Sequence, residues 1–189
     1  MDARKGRLFV LAGPSGAGKG TLREKALTDI EDLIYSVSCT TRQPREGERD
    51  GVDYRFVTMR DFEEKIAGGL FLEHAVVHGD RYGTLLADVL REREAGRDVL
   101  LEIDVQGARQ VKVILPESVM IFISPPSLDV LEQRLRRRKT ETEDKIAIRL
   151  ENAKKEMALS SEYDHVIVND DLERACGELR DVLLSYRRK

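Results

Sequence analysis

The sequence of 189 residues has only two cysteines, no tryptophan and few prolines. Cys39 and Cys176 lie far apart, with no C-x-x-C pair and no histidine cluster near either of them. Disulfide scaffolds and structural zinc sites need several such residues at close spacing. We therefore expect neither kind of site.

A long hydrophobic run is also missing. No stretch approaches the roughly 20 apolar residues that a membrane span requires. The apolar run at the N-terminus, Leu8 to Ala12, is short and leads directly into glycines and a lysine. We interpret it as a strand followed by a loop, not as a signal peptide, and we expect a soluble cytoplasmic protein without a membrane partner.

An excess of charge of one sign is absent too. The chain has 32 Lys and Arg against 35 Asp and Glu, which gives a net charge of −3. A protein that binds nucleic acid through general phosphate neutralisation is expected to be basic. We therefore expect no nucleic-acid partner.

What the sequence does contain is an alternation of short apolar runs and helical periodicity. Buried strands are predicted at 8–11, 99–103, 119–123 and 165–168. Helices are predicted directly after the glycines that follow the first strand and at about 86–95, 128–138, 143–159 and 171–187. This order predicts an α/β fold, in which helices flank a parallel sheet.

The segment from about 35 to 84 has a different pattern. Ser36–Ser38, Tyr54–Val57 and Phe71–Val77 are short, partly alternating runs between turn-forming residues, and they predict a small β-rich insertion. We expect one domain over residues 1–189. Its core comprises 1–34, 85–127 and 160–189, with the insertion at 35–84 and a helical lid at about 128–159.

A glycine-rich loop follows the first strand and precedes the first helix. Its sequence, GPSGAGKGT at 13–21, has the G-x-x-x-x-G-K spacing of a phosphate-binding loop, or P-loop. Glycines let backbone N–H groups turn toward phosphate oxygens, the helix N-terminus adds its positive end, and Lys19 supplies a cation. The spacing and its context favour nucleotide binding over a structural turn with a surface lysine.

The loop departs from the usual pattern at one position. Gly20 stands where a magnesium-binding Ser or Thr is expected, and the hydroxyl comes one residue later, at Thr21. Asp104 ends a predicted buried strand, so it is placed to hold a metal-bound water at the edge of the sheet. We expect Mg²⁺ at Thr21 and Asp104, partly through water. A carboxylate that caps the next turn is the alternative for Asp104.

Two further groups of residues suggest anion binding. Arg42 and Arg45 flank Pro44, which stiffens their loop, and Tyr54 is nearby, so these side chains could bind a second phosphate.

The run at 134–139 is the most basic in the chain. Arg134 and Arg138 are four residues apart and therefore share a helix face. A solvated helix end or a nucleic-acid patch would produce the same basic run in the sequence.

These motifs together resemble the guanylate kinase family. The resemblance rests on the phosphate loop, SVSCTTRQPREGERDGVDYRFV at 36–57, Tyr82-Gly83-Thr84, LEIDVQG at 101–107 and VIVNDD at 166–171. It extends from about residue 7 to residue 186. It implies ATP-dependent, magnesium-assisted phosphorylation of GMP, and we expect dGMP as well, with the β-rich insertion as the GMP-binding part.

The resemblance also implies roles for individual residues. ATP would be bound by Gly13, Pro14, Ser15, Gly16, Ala17, Gly18, Lys19, Gly20, Thr21 and Asn169. The GMP phosphate would be held by Arg42, Arg45, Tyr54 and Tyr82, and guanine by Ser38, Glu73, Thr84, Glu102 and Asp104. Catalysis would depend on Lys19, Arg42, Arg134, Arg138 and Arg149.

Two of these roles, those of Asn169 and Glu73, have alternatives. Asn169 would frame the adenine, but it could equally cap the helix that begins before Leu172. Arg149 lies at the flank of the apolar stripe Ile146, Leu150, Ala153 and Met157, so it can lean over a neighbouring cleft. Arg137 and Lys139 stand where the family often has glycine, which bears on the flexibility of the lid. Without the resemblance, Glu73 would be interpreted as a solvated carboxylate at a strand edge.

Two other functions fit part of the pattern. A kinase for another phosphorylated acceptor, such as a ribose bisphosphate, would not need Glu73, because that acceptor has no base. A silent scaffold that binds a phosphorylated peptide would keep Arg42 and Arg45 but would have little use for Gly18 and Lys19. The sequence leaves a monomer and a small homo-oligomer both open.

Overall fold

The computed structural model describes residues 4–77, 79–137 and 142–187, in which nine strands, seven α-helices and one short 3₁₀-helix, Ser160–Glu162, are found. The strands are β1 Leu8–Ala12, β2 Leu33–Tyr35, β3 Cys39–Thr40, β4 Arg55–Phe56, β5 Phe71–Val77, β6 Asp80–Leu85, β7 Asp98–Glu102, β8 Val119–Ser124 and β9 His165–Val168. The helices are α1 Lys19–Asp29, α2 Met59–Ala67, α3 Leu86–Glu94, α4 Val105–Ile114, α5 Leu128–Arg137, α6 Glu143–Met157 and α7 Leu172–Ser185. None of the helices within these ranges is both long and apolar enough to pass through a bilayer.

The predicted α/β fold with a central parallel sheet is confirmed. Five strands form this sheet in the order β2-β7-β1-β8-β9, and the pairs β2–β7, β1–β8 and β8–β9 are parallel. All five residues of β1 are buried, as are the first five of β8. Strands buried on both faces have continuous apolar sequences, which is why the sequence located β1, β7 and β8 well. The prediction of 165–168 as a buried strand is wrong in its burial, because β9 lies at the edge of the sheet and Val166 and Val168 are exposed, with only Ile167 buried.

The chain divides into two compact units. The first comprises the chain up to Leu8 together with Leu33–Leu101 and Gln106–Ser118. It contains a second sheet in the order β4-β3-β6-β5, in which β6 runs antiparallel to both of its neighbours. The hydrophobic core beneath this sheet includes Cys39, Phe62 and Phe71. The segment 35–84 therefore contains strands β3 to β6, of which β4 and β5 match predicted runs, although the domain layout as a whole stays a prediction.

Several elements of this unit differ from the sequence-based prediction. Ser36–Ser38 is not a strand, because β2 ends at Tyr35 and β3 begins at Cys39. The backbone of Ser36 still donates to Leu100 of β7, whereas the carbonyl of Ser38 already accepts from Arg55 of β4, so the chain changes sheets here. Helices α2 and α4 and strand β6 were not predicted. Thr58 caps α2 by accepting a hydrogen bond from the backbone N–H of Asp61.

The second unit comprises Phe9–Asp32, Glu102–Val105 and the chain from Val119 onwards. It contains β1, β8, β9, α1, α5, α6 and α7. Helices α5 and α6 pack through the buried residues Leu131, Leu135, Ile146 and Ala153, with Leu150 partly buried against them. The apolar face predicted for α6 is thus confirmed at these positions.

Replacement of Leu131 by alanine is expected to lower the free energy of unfolding by about 2–5 kcal/mol, because it leaves a cavity in the fully buried α5–α6 core. Equilibrium unfolding in urea measures this loss. Ile148→Ala is the matched control on α6, since Ile148 is 60% exposed, and it should change the value by no more than about 0.5 kcal/mol. Equal losses in the two variants would contradict the packing described for this helix pair.

Candidate functional site

The glycine-rich loop adopts a backbone that only glycine tolerates at several positions. Gly13, Gly16 and Gly18 all have positive φ, at 139°, 93° and 94°. A Cβ on Gly13 would lie 2.2 Å from the carbonyl oxygen of Ile123, and one on Gly18 would lie 2.3 Å from Nδ2 of Asn169. The loop is therefore wrapped closely by β8 and by the residue after β9, and it leads into the N-terminus of α1.

Lys19 and Asn169 both bond to this loop. The ammonium of Lys19 donates to the carbonyl oxygens of Gly13 and Pro14 at 2.6 and 3.1 Å. Asn169 is buried, and its side-chain amide donates to the carbonyl of Ala17 at 2.8 Å. The cap of α7 is Asp171, which accepts from the backbone N–H of Arg174, so Asn169 is not that cap. Its contact with adenine stays a prediction.

The position of Gly20 faces a carboxylate. A Cβ at residue 20 would lie 3.8 Å from each carboxylate oxygen of Glu102. Oε2 of Glu102 lies 3.1 Å from Nη1 of Arg23. The structure thus brings Glu102 to the place that a Ser or Thr side chain at position 20 would approach. Asp104 follows β7 two residues later, and Thr21 lies exposed in the first turn of α1.

Oxygen donors suited to Mg²⁺ are therefore present on these elements, since the hydroxyl of Thr21 and the carboxylates of Glu102 and Asp104 belong to one compact unit. Within the described ranges, no group of three or more His, Cys, Asp or Glu side chains is positioned to hold a metal ion. The prediction of Thr21 and Asp104 as metal contacts stays a prediction.

Glu156, on α6, was not identified from the sequence. Burial raises the pKa of its carboxyl; Lys19 opposes the rise and Asp104 adds to it. Glu156 is thus within electrostatic reach of the loop lysine. Helical spacing gives no signal for this, because only the packing of α6 in this unit brings the residue near Lys19.

The arginines predicted to act in the lid differ in their contacts. Arg134 donates through Nη2 to the backbone carbonyl of Asn169 at 2.8 Å, while its Nη1 is buried with no hydrogen-bond partner among the described residues. Arg149 donates to the hydroxyl of Ser15 in the glycine loop at 3.0 Å. Arg138, like Lys139, lies outside the described residues. Arg137 ends the described part of α5.

Arg42 lies at the centre of the second predicted phosphate site. Its Nε donates to the hydroxyl of Tyr82 at 3.2 Å, and its guanidinium carbon lies 5.4 Å from the centre of the Tyr54 ring. The two tyrosine rings meet edge to face. The structure therefore brings together three of the four residues predicted for the GMP phosphate.

The fourth, Arg45, is arranged differently. Its side chain is exposed, and its backbone N–H donates to Oε2 of Glu48 at 2.7 Å. The Glu48 carboxylate also accepts from Nη2 of Arg42, at 2.8 and 3.0 Å. Hydrogen bonds from Arg42 lower the pKa of Glu48, and the same pair raises the pKa of Arg42. Glu48 lies within the motif quoted above but was given no role, although its spacing of three from Arg45 is that of a turn.

Ser38, Glu73 and Thr84 form a buried polar cluster. Glu73 is only 3% exposed, so the alternative of a solvated strand-edge carboxylate is wrong. Thr84, directly opposite on β6, donates its hydroxyl to Oε1 of Glu73 at 2.6 Å. The hydroxyl of Ser38 lies 3.4 Å from that of Thr84. A buried carboxylate beside two hydroxyls can bind a ligand edge that carries adjacent hydrogen-bond donors.

Comparison with known proteins connects these sites to one family. A family model described as guanylate kinase matches residues 5–186. The guanylate kinase of Corynebacterium diphtheriae is 50% identical over 188 residues, covering 98% of each chain, and that of Syntrophotalea carbinolica is 50% identical over 182 residues, covering 96% of this chain and 87% of its own. The crystal structure of guanylate kinase from Anaplasma phagocytophilum superposes with a TM-score of 0.82 at 33% identity, covering 100% of this chain and 90% of its own.

The ion pair between Arg42 and Glu48 predicts a pH dependence of stability. Because the pKa of Glu48 is lowered in the folded chain, the pair stabilises the fold above the ordinary glutamate value of 4.5. This contribution is lost as the pH falls through the lowered pKa. The free energy of unfolding of wild type should exceed that of Glu48→Gln by up to roughly 1 kcal/mol near neutral pH, and by progressively less as the pH falls below 4.5.

Urea unfolding over this pH range measures the difference. Glu46→Gln is the matched control, since Glu46 is exposed in the same loop. A difference between wild type and Glu48→Gln that stays constant with pH would show that the pair does not stabilise the fold as an ion pair.

Proposed function

Since the chain belongs to the guanylate kinase family, we propose that it transfers the terminal phosphoryl group of ATP to GMP, giving ADP and GDP. The observation that carries this proposal is the buried Glu73–Thr84–Ser38 cluster, because a phosphate-binding loop alone is shared by many nucleotide-binding proteins. We propose a magnesium-dependent, cytoplasmic enzyme that acts on dGMP as well as GMP.

Guanine recognition in this proposal depends on the buried carboxylate of Glu73. Guanine presents two adjacent donors, N1–H and the exocyclic N2–H₂, which match the two acceptor oxygens of a carboxylate. Adenine has an acceptor at N1, so its lone pair would face a carboxylate oxygen. A buried polar mismatch of this kind can discriminate by a factor of about 10⁴. Ser38 and Thr84 complete this base site, and Glu102 and Asp104 are assigned to it from the resemblance.

The acceptor phosphate is assigned to Arg42, Tyr54, Tyr82 and Arg45. Arg42 is already held by Tyr82 and Glu48, so its guanidinium is restricted before any phosphate binds. The phosphate has to share or replace the Glu48 carboxylate on Nη2 of Arg42. The exposed side chain of Arg45 can then fold onto the same phosphate.

The donor phosphates are assigned to the loop from Gly13 to Thr21. Its amides and the N-terminus of α1 bind the phosphate oxygens, and Lys19 exchanges the carbonyls of Gly13 and Pro14 for the β- and γ-phosphates. Thr21 and Asp104 would hold Mg²⁺, in part through water, with Glu102 beside the position of Gly20. The ion, when bound, neutralises charge on the transferring phosphoryl group.

Catalysis is assigned to Lys19, Arg42 and the arginines of the lid. The buried Nη1 of Arg134, which has no partner among the described residues, is suited to donate a hydrogen bond to an anionic oxygen. Arg149 reaches the glycine loop through Ser15, and Arg138 is assigned here from the sequence alone. Phosphoryl transfer depends mainly on positioning and charge stabilisation, which guanidinium groups supply, and closure of the lid would exclude water.

The base specificity can be tested with wild type and Glu73→Gln. ADP formation from ATP and Mg²⁺ should occur with GMP and be lower by several orders of magnitude with AMP, CMP or UMP. Glu73→Gln should lower kcat/KM for GMP by about 10²-fold or more, because the amide turns a donor toward the donors of guanine.

Binding of ATP, measured by calorimetry, serves as the internal control and should change by less than about twofold in Glu73→Gln. Equal turnover of all four monophosphates would reject guanine recognition. The absence of turnover together with tight binding of a phosphorylated peptide would instead support the scaffold function.

The lid assignment predicts that Arg149→Ala lowers kcat by about 10²–10³-fold, with a change of less than about threefold in KM for GMP. Steady-state kinetics measure both constants. Arg136→Ala is the matched control, because Arg136 pairs with Glu132 and Glu143 on the surface. The assignment is wrong if Arg149→Ala keeps the kcat of that control.

A further inference from the structure

Strand β5, which carries Glu73, lies at one edge of the four-stranded sheet and has β6 as its neighbour there. The backbone groups of His74 at the free edge are bound by a side chain. Its N–H donates to Oε1 of Gln110 at 3.1 Å, and its carbonyl accepts from Nε2 of Gln110 at 2.8 Å. One amide thus satisfies both groups, as a residue of a neighbouring strand would.

The same part of β5 is irregular. The pairing of β5 with β6 shifts register between Phe71 and Glu73, after which Glu73 lies opposite Thr84. Gly83 allows the close approach of the two strands, since a Cβ there would lie 2.9 Å from the Phe71 ring and 3.1 Å from the carbonyl of Glu73. The direction of the Glu73 side chain therefore depends on a bulge in an edge strand, where regular pairing gives the least support.

We propose that Gln110 is a positioning residue for guanine specificity: it holds β5 in place at His74 and thereby orients the Glu73 carboxylate. This inference rests on the proposed role of Glu73. Side chains alternate along a strand, so a small rotation or slip of β5 would turn Glu73 away from Thr84. Gln110 prevents it because α4, a regular helix, holds the amide against the strand.

Glutamine suits this position because both functions of the amide are used. A glutamate would keep the acceptor for the N–H of His74 but would place a negative oxygen against its carbonyl. Alanine would leave both backbone groups without the side-chain partner. The loss should therefore be graded, with alanine more harmful to the position of Glu73 than to the fold of the rest of the chain.

Gln110→Ala is expected to raise KM for GMP roughly tenfold, with KM for ATP within about twofold of wild type. Val113→Ala on the same helix is the matched control, since Val113 is 82% exposed, and it should change neither constant. Gln110→Glu, which keeps one of the two bonds, should lie between wild type and Gln110→Ala. An unchanged KM for GMP, or equal rises in both KM values, would overturn the proposal.

A second measurement distinguishes a changed orientation of Glu73 from a general loss of stability. Inosine monophosphate lacks the N2 amino group of GMP, so the ratio of kcat/KM for GMP to that for inosine monophosphate reports how well Glu73 meets both guanine donors. This ratio should fall several-fold in Gln110→Ala and stay at the wild-type value in Val113→Ala. Hydrogen exchange should also show faster exchange at the amide of His74 in Gln110→Ala. A ratio and an exchange rate that match wild type would refute the role of Gln110.

Glu73→Gln, measured in parallel, distinguishes this inference from the proposed function. If Glu73→Gln leaves the ratio unchanged, Glu73 does not read the base, and the roles proposed for Glu73 and for Gln110 both fail. If Glu73→Gln lowers the ratio and Gln110→Ala does not, only the role of Gln110 fails. If Gln110 acts through Glu73, the double variant should lose little more preference than Glu73→Gln alone.

Discussion

A carboxylate that is withdrawn from water must be met by hydrogen-bond donors, and the acceptor site is organised around this requirement at Glu73. Only 3% of Glu73 is exposed, and Thr84 donates to it from the opposing strand. In our proposal the donors of guanine complete this environment, whereas adenine would bring a lone pair to the same oxygen. Base specificity then follows from the cost of an unmatched buried charge, not from the shape of a pocket alone.

The cations assigned to phosphate contacts have internal acceptors in this conformation. Lys19 bonds to the carbonyls of Gly13 and Pro14, and Arg42 bonds to Glu48. Such bonds restrict each cation to a small region and lower the cost of holding it before a ligand arrives. A phosphate has to compete with these acceptors, so its affinity reflects an exchange of partners. Arg134 differs, since its buried Nη1 has no partner among the described residues.

The success of sequence-based prediction depended on how local each feature is. The glycine loop and the buried parallel strands were predicted well, because spacing and continuous apolar runs encode them directly. The residues 36–38 were wrongly predicted as a strand, 165–168 was wrongly predicted as a buried one, and α2 and α4 were missed. A short segment can pair, cap or cross between sheets according to its neighbours. Arg45 illustrates the same limit: its position in the motif is evident, whereas the exposure of its side chain is a matter of the folded turn.

The sequence by itself determined the family, the α/β fold and the order of the phosphate-binding and base-reading motifs along the chain. Tertiary structure alone decided which side chains meet. Glu48 binds Arg42, Arg23 pairs with Glu102, and the amide of Gln110 binds the backbone of a strand 36 residues away. The physical reason is that a motif is defined by residues close together in the sequence. Hydrogen bonds, burial and pKa shifts depend instead on distances that are set only when strands and helices from remote parts of the chain have packed together.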